Sequence, residues 1–213
     1  IVILCVKLII YIDFCDNINI VEEFTNIMIK LGGKLDIMLL FHGRFDTSEL
    51  IETNNKDFDI AVNTNTRSLM TMISLATPFL KLTRGNIVAI SSLESFIPVK
   101  GSFLNTVTKS MANMLIQSSA LELAPFGVRV NGVAPGITNT PIRVGANENF
   151  KENENRAYME CMGTYNLLNK KVIEPNDVVE ALLFLASDEA GFITGEIIKI
   201  DDGYSLNHDL SFS

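Results

Sequence analysis

Between Asn86 and Thr140 the sequence gathers a hydroxyl, an amide and an ammonium at what reads as one edge of a sheet. An apolar strand, Ile87 to Ile90, runs into Ser91-Ser92. A loop with Pro98 and Gly101 leads to a long helical pattern carrying Asn105 and Lys109, and a second apolar strand, Val128 to Val133, ends in Ala134-Pro135-Gly136. Strand, helix and strand at this spacing predict a right-handed crossover in a parallel sheet. Ligands bind such sheets beyond the carboxyl ends of the strands, so Ser92 and Pro135-Gly136 point to one crevice. Asn105 and Lys109 stand one helical turn apart, where side chains meet. All three polar groups can donate hydrogen bonds, but a neutral amide cannot release a proton near neutral pH.

Composition bounds the rest. The 213 residues suffice for a single α/β domain with a full core. Apolar residues make up 47% and charged residues 20%, a globular rather than a disordered profile. A net charge of −8 argues against nucleic acid and anionic membrane as partners, since both select for basic patches. Cys5, Cys15 and Cys161 show no metal-binding spacing and read as thiols of a reducing, cytoplasmic compartment. The apolar run Ile1 to Ile10 is too short to span a bilayer and reads as a strand of a parallel sheet. No methionine opens the chain, which points to a processed or incomplete product.

Residues 8–14 read as a buried strand closing at Cys15-Asp16, with Asp16 or Asn17 as cap of the helical run Ile20 to Leu31. Gly32-Gly33 stops that helix. A further strand, from Leu35, reaches Phe41-His42-Gly43, and a lone histidine at a strand end is more often structural than chemical. A long helix is predicted from Phe58 to Leu82, with Pro78 near its end. Residues 141–172 are irregular and polar, the composition of an exposed element. Pro175 opens the next helix, and the strand Glu196 to Ile200 leads to Asp201-Asp202-Gly203-Tyr204.

These motifs resemble the short-chain dehydrogenase/reductases over nearly the whole chain. Ser92, Lys109, Arg129-Val130-Asn131, Pro135-Gly136, Thr140 and the Phe192-Ile193-Thr194-Gly195 run with Asp202-Gly203 fall in that family's order. The resemblance implies a Rossmann-like, doubly wound α/β sheet and hydride transfer between NAD(H) or NADP(H) and a small hydroxyl or carbonyl compound. It implies Ser92, Lys109 and Asn65 as catalytic residues, and Asp16, Gly43, Lys109, Pro135, Gly136, Ile137 and Thr140 as cofactor contacts. It further implies that residues 141–172 cover the substrate, and that the chain forms a homo-oligomer through helices near 65–82 and 105–124.

Two departures qualify these expectations. The family's tyrosine, four residues before the lysine, is replaced by Asn105, and losing a positioned acid costs roughly 10²–10⁴ in rate. No Gly-x-x-x-Gly-x-Gly or Gly-x-Gly-x-x-Gly occurs in the sequence, so the resemblance begins at the family's third strand. An impaired oxidoreductase, an inactive relative serving as a binding or oligomerisation partner, and a gene fragment all remain open. With two strands missing, the N-terminal strand is expected to pair directly with the strand Leu35 to Phe41, which otherwise keeps a raw edge.

Overall fold

The computed structural model describes residues 2–5, 8–11, 20–140, 142, 161, 163–168 and 172–207. The apolar N-terminus forms two strands, β1 (Val2–Cys5) and β2 (Leu8–Tyr11), paired antiparallel with Val2 opposite Tyr11. The amphipathic helix α1 (Ile20–Lys30) follows and buries Phe24, Ile27 and Met28. It stops at Gly32 and Gly33, both with positive φ.

Strand β3 (Ile37–Leu40) leads through a loop to α2 (Asn55–Val62), capped by Asn54, whose side chain accepts from the Asp57 N–H. A single π turn, Asn63–Arg67, joins α2 to α3 (Ser68–Thr83) without a break, and α3 runs through Pro78. Strand β4 (Asn86–Ile90), helix α4 (Phe103–Leu123) and strand β5 (Arg129–Pro135) form the predicted crossover. Helix α5 (Pro175–Ala186) begins with proline inside a capping box made by Glu174 and Asp177, and β6 (Ile197–Ile200) completes the sheet.

The main sheet is parallel, in the order β3-β4-β5-β6. Its strands are covered on both faces, which is why they read as continuous apolar runs. On one face Met38, Leu40, Ile87, Ala89 and Val130 pack with Phe24, Met72 and Ile116 of α1, α3 and α4. On the other, Leu39, Val88 and Val133 meet Val178, Leu182 and Leu185 of α5. Opposite faces taken by alternate residues, each under helices, make this a Rossmann-like doubly wound α/β domain. The turn into β4 is tight: a Cβ on Gly85 would lie 2.3 Å from the Asp36 carbonyl oxygen, so only glycine fits.

The N-terminus corrects one expectation. β1 lies alongside β3, but among the described residues no ladder joins them. The backbone groups of Val2–Cys5 pair instead within the hairpin, with Leu8–Tyr11. A hairpin closes locally at little entropic cost, whereas a new parallel partner for β3 needs a long connection. Among the described residues no helix is long and apolar enough to cross a membrane.

Candidate functional site

Beyond the carboxyl ends of β3, β4 and β5 opens a cleft of about 540 Å³. Ser92, Asn105, Lys109, Pro135, Gly136, Ile137, Thr140 and Gly43 all line it, so most of the residues singled out from sequence converge in one place. Asn65 sits behind this wall. Asp16 lies outside the described residues, as does most of the segment 141–172 expected to cover the substrate.

Lys109 is carried by α4 and is 5% exposed, and its Nζ donates to the Ile90 carbonyl oxygen at 3.2 Å. Burial holds its ammonium down from 10.5 to about 8. The lysine passes close by Gly43, where an added Cβ would meet Nζ at 3.0 Å. One turn earlier, Asn105 is 4% exposed and donates from Nδ2 to Glu94 Oε2 at 2.6 Å.

Ser92 caps the 3-10 turn Leu93–Ser95, its Oγ accepting from the Glu94 N–H at 3.2 Å. A buried network fixes that turn against α4. Ser91 Oγ donates to Asn113 Oδ1, Asn113 Nδ2 donates to Ser95 Oγ at 2.7 Å, and Ser95 Oγ donates to the Ser92 carbonyl at 2.5 Å. Asn105, Lys109 and Asn113 are successive i, i+4 positions, so one stripe of α4 carries the cleft's polar floor and its support.

Asn65 lies in the π turn, a distortion that recurs at functional sites. Its amide clamps the Arg44 backbone: Oδ1 accepts from the Arg44 N–H at 2.7 Å, and Nδ2 donates to the Arg44 carbonyl at 3.0 Å. The same Nδ2 reaches Thr108 Oγ1 at 2.9 Å. Asn65 therefore ties the end of β3 to α4 immediately beside Lys109.

His42 Nε2 lies 2.6 Å from Ser68 Oγ. Ser68 donates its hydroxyl hydrogen to the Thr64 carbonyl at 2.6 Å, so the imidazole must be the donor, protonated at Nε2. Burial and then the Lys109 ammonium push the imidazole from 6.5 to about 3, leaving it neutral. A structural part in bracing β3 on α3 fits these contacts. Arg129 and Asn131 also act structurally: Arg129 donates to the Leu185 and Ser187 carbonyls and Asn131 to that of Ile193, which tie β5 to the end of α5 and to the segment that follows it.

Glu94, Thr108, Asn113 and Tyr204 were missed by sequence reasoning. Tyr204 is 4% exposed, lines the cleft and packs edge-on against Tyr165. Only Asn113 carried a usable signal, as an amide in register with Asn105 and Lys109.

Residues 6–205 match the family described as enoyl-(acyl carrier protein) reductase. The chain is 31% identical to short-chain dehydrogenase reductase 3a of Arabidopsis thaliana, over 90% of this chain and 75% of that protein. A structure of ElxO with NADP bound superposes with a TM-score of 0.77 at 27% identity, covering 92% of this chain and 77% of that one. The ligand-free aldohexose dehydrogenase of Thermoplasma acidophilum gives 0.85 at 22% identity, covering 96% of this chain and 80% of that one, which speaks for the fold. The chain belongs to the short-chain dehydrogenase/reductase family, whose activity is oxidoreduction.

Proposed function

We propose that this chain is an NAD(P)-linked oxidoreductase of small hydroxyl or carbonyl compounds, impaired in proton transfer. One observation carries the reading. Ser92, Lys109 and Asn105 converge on one cleft, with an amide standing where the resemblance calls for a phenol. The apolar walls and few convergent polar groups suit a small ligand. The buried Lys109 ammonium and the bare backbone at Gly43 and Gly136 fit the nicotinamide-ribose end of a dinucleotide. An added Cβ at Gly136 would come within 3.2 Å of Asp201, so the backbone there is closely packed. ElxO holds NADP, which supports the nicotinamide class without choosing between NAD and NADP. A bound nicotinamide supplies or takes up the hydride. What the chain itself supplies is orientation by Ser92, charge at Lys109 and, through Asn105, a hydrogen bond in place of a proton.

Asn105→Tyr tests this in the full chain, with NADH and NADPH oxidation followed over a panel of small ketones. Turnover should rise by roughly 10²–10⁴ if the missing acid is the defect. No rise, with nicotinamide binding still detected by titration calorimetry, would refute the assignment of the defect to position 105.

A second reading rests on the outer faces of α3 and α4. Met70 and Met114 are 52% and 59% exposed and line a shallow groove with Thr66, Ser110 and Ser118. That face suits pairing with a second copy, and light scattering across concentration would show a dimer or a persistent monomer.

A further inference from the structure

Lys109 buries a cation with no anion paired to it. Of the three N–H bonds of its ammonium, one goes to the Ile90 carbonyl, and among the described residues no carboxylate forms an ion pair with it. Asn105, one turn earlier, turns its amide to Glu94 instead. The neighbouring His42 ring is neutral and offers no counter-charge. Gly43 and Lys109 both line the cleft, and the glycine leaves Nζ uncovered on that side, since an added Cβ there would lie 3.0 Å from it. The surrounding wall is apolar, with Phe41, Ile90, Ile137 and Leu182. An unpaired ammonium in such a place is costly, so its proton is held loosely. The neutral amine that results is a nucleophile toward carbonyl carbon, and desolvation in an apolar pocket is one of the ways lysines are activated for that reaction.

We propose that Lys109 captures aldehydes with an apolar body as a reversible imine within the cleft. The amine nitrogen attacks the carbonyl carbon, the C–N bond forms, and the C=O π pair moves to oxygen, which takes up one hydrogen lost from nitrogen. The resulting carbinolamine expels that oxygen as water together with the second N–H hydrogen, leaving C=N. One water leaves for each aldehyde bound, nothing is oxidised or reduced, and water reverses the step. This rests on the reading of the cleft as a site for carbonyl compounds, and it adds a covalent chemistry that needs neither nicotinamide nor a phenol. Position 105 has a part in it: where the resemblance puts a phenol beside the lysine, a short amide bonded to Glu94 leaves Nζ to the ligand.

Hexanal with sodium cyanoborohydride tests this on the full chain near neutral pH, without nicotinamide. The reagent adds hydride to the imine carbon, fixing each adduct as a secondary amine that peptide mass spectrometry assigns to its lysine. With Lys109 at about 8 rather than 10.5, its neutral fraction exceeds that of an ordinary lysine by roughly 10²-fold. Its peptide should therefore be modified about tenfold or more faster than those of the exposed Lys34, Lys56 and Lys100. Hexanal should also outpace acetaldehyde at Lys109 by about tenfold, because the cleft takes up its extra methylene groups, and show no such advantage at the exposed lysines. Lys109→Met should lose the fast adduct and keep the slow ones. Modification of Lys109 no faster than of the exposed lysines, the same aldehyde preference at all of them, or a fast adduct persisting in Lys109→Met would overturn the proposal. Because no turnover is read, an oxidoreductase reading that fails in the Asn105→Tyr assay leaves this labelling unaffected, and the two failures are separable.

Discussion

Replacing Lys109 with methionine makes the cost of burying its ammonium measurable. In the folded chain burial holds the group at about 8, against 10.5 in its ordinary state. Between those values the unfolded chain binds a proton that the folded chain does not, so this residue makes stability rise with pH there. Below about pH 8 both states carry the proton and the fold bears the whole penalty, while above about pH 10.5 neither does and the penalty is gone. The gap corresponds to roughly 3 kcal/mol. Methionine keeps the length of the side chain without the charge, and the lost bond to the Ile90 carbonyl adds an offset that does not depend on pH. Urea unfolding of wild type and Lys109→Met, followed by circular dichroism from about pH 7.5 to about pH 11, isolates the effect, because every other titration is shared. The wild-type stability minus that of the variant should climb by roughly 3 kcal/mol across the window. A difference flat to within about 1 kcal/mol would refute the reasoning, because the ammonium would then be hydrated or paired in the fold.

His42 gives the same kind of dependence on the acid side. Its folded value of about 3 lies below the ordinary 6.5, so stability is lost as pH falls between them. The ring is partly open to the cleft, which holds the effect to a few kcal/mol, and Lys109 contributes through its charge. Acid unfolding of wild type and His42→Gln should diverge in that window, and parallel curves would show that the ring is not buried neutral. Asn65→Ala removes the clamp on both backbone groups of Arg44 and the bond to Thr108. A cost of about 3 kcal/mol is expected, seen as a Tm fall of roughly 6–12 °C. A fall of under about 2 °C would mean that water replaces the amide at little cost.

The parts of the fold legible in the sequence are those whose burial writes a period. Strands β4 and β5 are covered on both faces, so Ile87 to Ile90 and Val128 to Val133 stand out as apolar runs. The start of α5 was legible because Pro175 and Asp177 act within one turn. The π turn at Asn63–Arg67 left no such mark, since the phase shift that one extra residue makes cannot be read across a helix as short as α2. Its cause lies in space: the Asn65 amide reaches the backbone of Arg44, in a loop that precedes α2. The N-terminal hairpin was hidden for another reason. Two short apolar strands interrupted only by Lys7 look like one longer strand, and alternation alone does not say where a chain doubles back.

The Asn105–Glu94 pair shows where reasoning from resemblance stops. By position, Asn105 stands where the resemblance calls for a phenol. In space, its amide meets a carboxylate that the Leu93–Ser95 turn carries into the cleft. Neither residue identifies the other in sequence, because the loop between them sets their distance. The supports around the pair remain complete: Asn113 and Ser95 hold the Ser92 turn, and Asn65 and Thr108 hold α4 to the end of β3. Whether the amide at position 105 limits proton transfer within that frame is what the Asn105→Tyr turnover measures.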